Sequence, residues 1–263
     1  MLFEGQVIKM TTEVGAPIQY YLNLGGDLIA MNQLIGRNIK IKHVGFQCVE
    51  CMKEKPIYRM GFCKQCFFES PYASETIIRP ELSKAHLGIE ERNLAVEQEI
   101  QLQPHIVYLA YTGEVKVGVT RKSQVPTRWI DQGATFALVI AETENRYEAG
   151  VIEATLKQHL SDKTNYRKML QDEFESDLDL ENFRSQVYHH FPEQSLKFFK
   201  DDSQVMRLDY PYEASPKITA FTLDKKPEFE GVLKGIKGQY LAFEGGNCIN
   251  VRGHEGYVIQ MEV

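Results

Sequence analysis

The sequence lacks any hydrophobic run near the roughly 20 residues that a membrane span needs. Its first residues also lack the basic region, apolar stretch and cleavage site of a secretory signal. We therefore expect a cytoplasmic protein that does not insert into membranes. Internal repeats and low-complexity tracts are missing as well, so an ordinary globular fold is expected.

An excess of positive charge is also missing. The formal net charge is −6, which argues against a protein that coats nucleic acid by bulk electrostatics. The charge is uneven, with nine basic against seven acidic residues in 105–170 and four against ten in 171–209. A local basic site in the middle of the chain is compatible with this distribution.

Cysteine is scarce, but its distribution is informative. Four of the five cysteines form two CxxC pairs within "CVECMKEKPIYRMGFCKQC", and these are Cys48, Cys51, Cys63 and Cys66. Two such knuckles can complete a tetrahedral thiolate shell, which predicts a structural Zn²⁺ rather than a catalytic one. Disulfides or free thiols are the alternatives, and disulfides are rare in the cytosol.

The two ends of the chain predict β structure. Residues 1–46 and 210–263 contain short alternating apolar runs separated by glycine turns. Neither segment can bury both faces of a sheet alone, so we expect them to pair in a small barrel or sandwich. Between them we expect a zinc-ribbon module over 47–70 and a connector over 71–103.

The middle of the chain, residues 104–170, has the clearest pattern. "HIVYLAYT", "VKVGVT" and "TFALVIAET" predict strands, while "VPTRWIDQG" and "NRYEAGVIEATLKQHL" predict helices. The expected order is strand, strand, helix, strand, helix. Residues 171–209 then predict an acidic helical segment, with an amphipathic helix in "DLDLENFRSQVYHHF". The predicted fold class is α+β, with a central three-stranded sheet.

This order and several residues resemble the GIY-YIG nuclease domain of repair and homing endonucleases. Ile106-Val107-Tyr108 stands at the first motif and Lys116-Val117-Gly118 at the second. The resemblance implies phosphodiester hydrolysis and a set of catalytic side chains at Tyr108, Lys116, Arg128, Glu153 and Asn165. It covers residues 105–170, about a quarter of the chain.

The side chains at these positions have the chemistry that metal and phosphate binding require. Glu153 would hold Mg²⁺ or Mn²⁺, and Arg128 would grip phosphate oxygens bidentately. Arg121 and Lys122 would add substrate-binding charge. Lys116 replaces the second motif's tyrosine; because lysine is normally protonated near neutrality, we expect it to contact phosphate as a fixed charge.

Each residue also has an alternative interpretation without function. Arg128 would pack on Trp129, and Glu153 would pair with Lys157 four residues later on the helix. Tyr108 would be a core aromatic. Asn165, Arg121 and Lys122 would be turn residues.

The whole chain also resembles an uncharacterised bacterial family that joins a zinc module to a GIY-YIG-like core, through "PELSKAHLGIE" and "LKGIKGQYLAFEGG". Three hypotheses follow. The protein is a metal-dependent GIY-YIG-type nuclease, a non-catalytic nucleic-acid-binding zinc protein, or a scaffold whose acidic segment contacts a basic protein. In the second case, basic and aromatic residues of the zinc module extend the surface; these are Lys53, Lys55, Arg59, Lys64, Tyr58, Phe62, Phe67 and Phe68. The aromatic residues would otherwise pack the module.

Overall fold

The structure is a computed structural model that describes residues 1–160, 164–171 and 178–263. The chain divides into two compact units. Unit 1 combines Met1–Glu69 with Asp209–Val263, and unit 2 comprises Ser70–Leu208. Each unit has its own sheet and its own buried core.

Short strands and helices alternate along the chain. The strands are β1 (Leu2–Gln6), β2 (Thr11–Glu13), β3 (Gln19–Leu24), β4 (Asp27–Ala30), β5 (Asn38–Phe46), β6 (Ile57–Arg59), β7 (Phe62–Cys63), β8 (His105–Tyr111), β9 (Val115–Arg121), β10 (Phe136–Thr143), β11 (Met206–Arg207), β12 (Thr219–Ala220), β13 (Glu228–Lys237), β14 (Tyr240–Phe243), β15 (Asn247–Asn250) and β16 (Tyr257–Glu262). The α-helices are α1 (Lys64–Glu69), α2 (Leu94–Gln101), α3 (Thr127–Asp131), α4 (Arg146–Leu156), α5 (Tyr166–Gln171) and α6 (Leu180–Tyr188).

Unit 1 contains a seven-stranded sheet drawn from both ends of the chain, in the order β1-β16-β5-β13-β14-β15-β12. β16 lies antiparallel between β1 and β5, with Met261 opposite Phe3 on one side and Ile41 on the other. A separate sheet has the order β2-β3-β4. Alternate residues of β3 are buried, as expected for a strand with one face on a core.

The seven-stranded sheet and the β2-β3-β4 sheet approach closely at two glycines. A Cβ on Gly5 of β1 would lie 2.1 Å from the backbone nitrogen of Gly25, in the β3–β4 turn. Gly25 itself has a φ of +62°, which favours glycine. A larger residue at Gly5 or Gly25 would push β1 and the β3–β4 turn apart. Apolar side chains from both sheets, including Leu22, Ile41 and Ile259, then fill the space between them.

Unit 2 is built around an antiparallel sheet in the order β11-β10-β8-β9. Every residue of β8 is buried, as expected for a central strand covered on both faces. Helices α4 and α6 cover one face. Their apolar residues share a core with the strands; it includes Ala149, Ile152, Leu156, Leu180, Val187, Val107, Leu109, Leu138 and Ile140.

The central sheet differs from the three-stranded prediction. The short strand β11 adds a fourth member, and it comes from the segment predicted to be helical. Helix α4 ends at Leu156, before the predicted end at residue 160. Parts of the predicted acidic segment, residues 172–177, lie outside the described residues. Among the helices that the structure describes, none is long and apolar enough to cross a bilayer.

Candidate functional site

The four clustered cysteines of unit 1 meet at one point. Their sulfur atoms all lie within 4.8 Å of one another. Cys48 and Cys51 stand on the loop after β5, while Cys63 ends β7 and Cys66 lies in α1. The second pair therefore sits at a strand–helix junction rather than in a second loop knuckle.

Backbone amides surround Cys48. Burial raises its pKa, but hydrogen bonds from the backbone amides of Cys63, Cys51 and Glu50 outweigh burial and bring the pKa to about 6. The amide of Cys63 donates to the Cys48 sulfur at 3.2 Å. Burial, followed by the neighbouring thiols, raises the pKa of Cys66 to about 12. The protein thus provides a thiolate in a closed cluster of thiols.

This cluster fits a tetrahedral metal ion. Four sulfurs at about 2.3 Å from Zn²⁺ would be about 3.8 Å apart, so the observed limit of 4.8 Å requires only a small contraction. The amide donors would stabilise the bound sulfurs. The four cysteines could therefore hold a metal such as zinc.

In unit 2, Tyr108 lies directly opposite Gly118 in the β8–β9 pair. Gly118 is required by this contact, because a Cβ there would lie 2.6 Å from the Tyr108 hydroxyl oxygen. That hydroxyl donates to Oε1 of Gln132 at 3.0 Å, and the Tyr108 and Trp129 ring centroids are 5.8 Å apart. Tyr108 is fully buried. Burial raises its pKa, so the hydroxyl stays protonated near neutrality.

Charged side chains gather near Tyr108. Arg128 lies close enough to its hydroxyl to oppose the rise in the Tyr108 pKa, whereas the charge of Glu153 adds to that rise. Arg146, at the start of α4, interacts electrostatically with Glu153, Arg121 and Arg128. Arg146 therefore lies close enough to Glu153 on its own helix, to Arg121 of β9 and to Arg128 of α3 to interact with all three.

Arg146 is held in place by the chain that precedes β8. Its guanidinium donates to the carbonyl oxygens of Thr76 and Ile77, each at 2.9 Å. Burial lowers the pKa of Arg146 to about 10; Glu153 opposes this effect, and the charges of Arg121 and Arg128 add to it. An anion placed among these guanidinium groups would relieve their mutual repulsion.

Glu153 is 8% exposed, and its carboxylate lies 3.4 Å from Nζ of Lys157. Glu153 therefore forms the i,i+4 ion pair with Lys157 and also interacts electrostatically with Arg146. Two helical turns separate Glu153 from Arg146 on α4, which places both residues on one helix face. We call Arg121, Arg128, Arg146 and Glu153 the arginine–glutamate cluster.

The other predicted site residues have local partners. Nζ of Lys116 donates to the Thr164 hydroxyl, and Lys116 is 3% exposed. Lys122 lies 2.6 Å from the Glu142 carboxylate. Asn165 accepts a hydrogen bond from the Arg167 amide at 3.1 Å and so caps the start of α5.

Arg146, Gln132 and His105 also belong to this region, although no motif of the sequence pointed to them. His105 is fully buried beside Arg121 and Arg146, and its Nδ1 bonds to the Gln103 carbonyl at 2.7 Å. A signal was available for Arg146, since it precedes Glu153 by seven residues on the predicted helix. No sequence pattern marked Gln132 or His105, because their places in this region depend on how the chain packs.

The fit of a divalent cation at Glu153 depends on the substrate. Within residues 1–160, 164–171 and 178–263, the cysteines are the only group of three or more metal-ligating side chains. Mg²⁺ commonly takes one or two carboxylates together with substrate phosphate oxygens and water. A cation at Glu153 would thus need a bound phosphate, which the arginines could also hold.

Aromatic residues of the cysteine module divide into two groups. Phe62 is 6% exposed, so of the two interpretations of this residue the structure favours packing within the module over stacking on a base. Tyr58 and Phe68 are exposed, and their rings lie together with that of Phe67.

The fold and these sites define a mixed α+β protein with a cysteine cluster and an arginine-rich site. Residues 36–259 match the profile of a family described as "Protein of unknown function (DUF2797)". This match spans most of the chain, so the protein belongs to that family. No curated protein and no solved structure matches the chain.

Proposed function

We propose that unit 2 binds a nucleic-acid phosphate and hydrolyses a phosphodiester bond as a GIY-YIG-type nuclease. The observation that supports this most directly is the electrostatic interaction of Arg146 with Glu153, Arg121 and Arg128. These residues come from β9, α3 and α4, and their shared location combines anion-binding groups with a cation ligand. The resemblance of the sequence around Tyr108 and Gly118 to the nuclease motifs adds the reaction type.

Each side chain has a role in this proposal. Arg128 and Arg121 hold phosphate oxygens, for which the guanidinium fork is suited. Arg146 fixes the position of Glu153 electrostatically while Thr76 and Ile77 hold its guanidinium. Protonated Tyr108 holds Gln132 beside Arg128. Mg²⁺ or Mn²⁺ bound by Glu153 and phosphate would supply charge neutralisation in the transition state.

Cleavage assays test the enzymatic part of the proposal. Labelled single-stranded, duplex and branched DNA and RNA would be incubated with native protein and with Glu153→Gln, in Mg²⁺ and in Mn²⁺. Glu114→Gln provides a control, because Glu114 pairs at the surface with Lys168. We expect cleavage by the native and control proteins alone. Equal cleavage by Glu153→Gln would overturn the assignment of Glu153.

Binding without hydrolysis is a second candidate, and specific observations favour it. The Tyr108 hydroxyl is buried, and Lys116 at the second motif donates to Thr164. Neither group is placed as a free base. If native protein and Glu153→Gln both bind and neither cleaves under any condition of the assay, this second function is the correct one. The proposed scaffold role of residues 171–209 stays a prediction.

We also propose that the cysteine cluster holds Zn²⁺ as a structural ion. Its support is the closed set of four sulfurs and the amide donors around Cys48. Elemental analysis of protein purified without added metal should find one zinc per chain. A zinc-free protein with intact secondary structure would contradict this proposal.

A further inference from the structure

Three aromatic rings form a cluster on the cysteine module, and we call Tyr58, Phe67 and Phe68 the aromatic triad. The centroid of Tyr58 lies 5.2 Å from that of Phe67 and 5.7 Å from that of Phe68, and Phe67 and Phe68 are 5.4 Å apart. Tyr58 is 46% exposed and Phe68 is 56% exposed. Large rings of one cluster therefore face solvent instead of a core, which is typical of an interaction surface.

Basic side chains accompany the triad. The Arg59 guanidinium lies 5.9 Å from the centroid of Tyr58. Lys55 and Lys64 line the same open hollow as Phe68, with Pro56 at its edge. The surface therefore offers apolar ring faces and positive charge within a short distance.

We propose that the aromatic triad binds unpaired nucleotides of a single-stranded nucleic acid. Unpaired bases present planar faces that stack on aromatic rings, and their phosphates pair with neighbouring cations. In duplex nucleic acid the base faces are stacked on one another, so they are not available to stack on the aromatic rings. A purely aliphatic protein partner would make no use of Lys55 and Lys64. This inference rests on the proposed function for the identity of the ligand, and it adds the substrate class.

Binding to short oligonucleotides tests the inference in the full-length protein. Fluorescence anisotropy would compare labelled single-stranded dT and rU 12-mers with a duplex of equal length. Phe68→Ala and Phe68→Leu both remove the ring, whereas Phe68→Trp keeps an aromatic face. Leu28→Ala, at a residue of the β2-β3-β4 sheet that is 63% exposed, is the control.

We expect Phe68→Ala and Phe68→Leu to bind the single strands about 5- to 150-fold more weakly than native protein, the range for loss of one base–aromatic stack. Phe68→Trp and Leu28→Ala should retain native affinity, and duplex binding should change little. Because Phe68 is 56% exposed, its replacement leaves the core intact, and zinc content with circular dichroism would verify folding.

Three outcomes would overturn the inference: equal single-strand affinity for Phe68→Ala and Leu28→Ala, native affinity in Phe68→Leu, or no single-strand binding by native protein. The first two leave the proposed function intact if Arg128→Ala weakens binding. Conversely, single-strand binding that depends on Phe68 and is unaffected by Arg128→Ala would support the triad and remove the proposed role of Arg128.

Discussion

Substitution of Gly118 by alanine should disturb the centre of unit 2. The added Cβ would lie 2.6 Å from the Tyr108 hydroxyl oxygen and 2.7 Å from its Cζ atom. Ordinary contacts between heavy atoms lie at about 3.5–4.0 Å, so the two groups must separate by about 1 Å. Tyr108 is fully buried and its strand pairs with β9 at this position, which leaves the ring little room.

The expected destabilisation has two contributions. Overpacking of a buried site costs about 1–3 kcal/mol. Displacement of Tyr108 also weakens its 3.0 Å hydrogen bond to Gln132, which adds about 1 kcal/mol. The total is about 2–4 kcal/mol, and it should lower the melting temperature of unit 2 by roughly 5–15 °C.

Trp129 provides a local assay for this effect. It is the only tryptophan of the chain, and its ring centroid lies 5.8 Å from that of Tyr108. Thermal unfolding followed by tryptophan fluorescence therefore reports on unit 2. Gly45→Ala in β5 is a matched control, since the nearest atom to its added Cβ is 4.0 Å away. Equal melting temperatures for native protein and Gly118→Ala would refute the packing argument.

Three further predictions concern pH, metal and a buried carboxylate. Burial, together with the charges of Arg146 and Arg121, lowers the pKa of His105 in the folded protein to about 4. Between pH 6.5 and about pH 4 the imidazole is therefore protonated mainly in the unfolded chain. The free energy of unfolding should consequently fall by about 2 kcal/mol from pH 7 to pH 5. Denaturant titrations at both pH values should show a smaller loss in His105→Asn, and an equal loss would contradict this. Chelation of zinc should unfold the module around Cys48, as monitored by circular dichroism, and should leave the fluorescence of Trp129 unchanged. A shift of the Trp129 fluorescence on chelation would contradict this prediction. Glu97→Ala should lower the free energy of unfolding in urea by about 3 kcal/mol, because the backbone amides of Glu91, Arg92 and Asn93 would lose the carboxylate to which they donate at 2.7–3.0 Å. Unchanged stability would show that water replaces the carboxylate.

Local patterns predict the parts of the molecule that local chemistry determines. The spacing of Cys48, Cys51, Cys63 and Cys66 was sufficient to predict that their sulfurs meet. Alternating and β-branched runs predicted strands close to β8, β9 and β10, because those residues are buried within a sheet. The spacing of Glu153 and Lys157 on a helix offered an ion pair as one interpretation of Glu153, and the two side chains do form that pair.

Features that depend on distant contacts were harder to predict. Strand β11 contains two residues, and its pairing with Phe136 and Ala137 leaves no periodic pattern in the sequence. The site residue Arg146 is fixed by the carbonyls of Thr76 and Ile77, about seventy residues earlier in the chain. Phe62 differs from Phe68 because β7 faces the interior of the module, which composition does not reveal.

The central claim is that the arginine–glutamate cluster binds nucleic-acid phosphate. The most direct measurement is the affinity of native protein, Arg128→Ala and Arg167→Ala for a labelled oligonucleotide across a salt series; Arg167, on α5, is exposed and serves as the control. We predict weaker binding for Arg128→Ala at every salt concentration and a salt slope smaller by about one, with Arg167→Ala unchanged. Equal affinities and equal slopes for the two variants would contradict the claim.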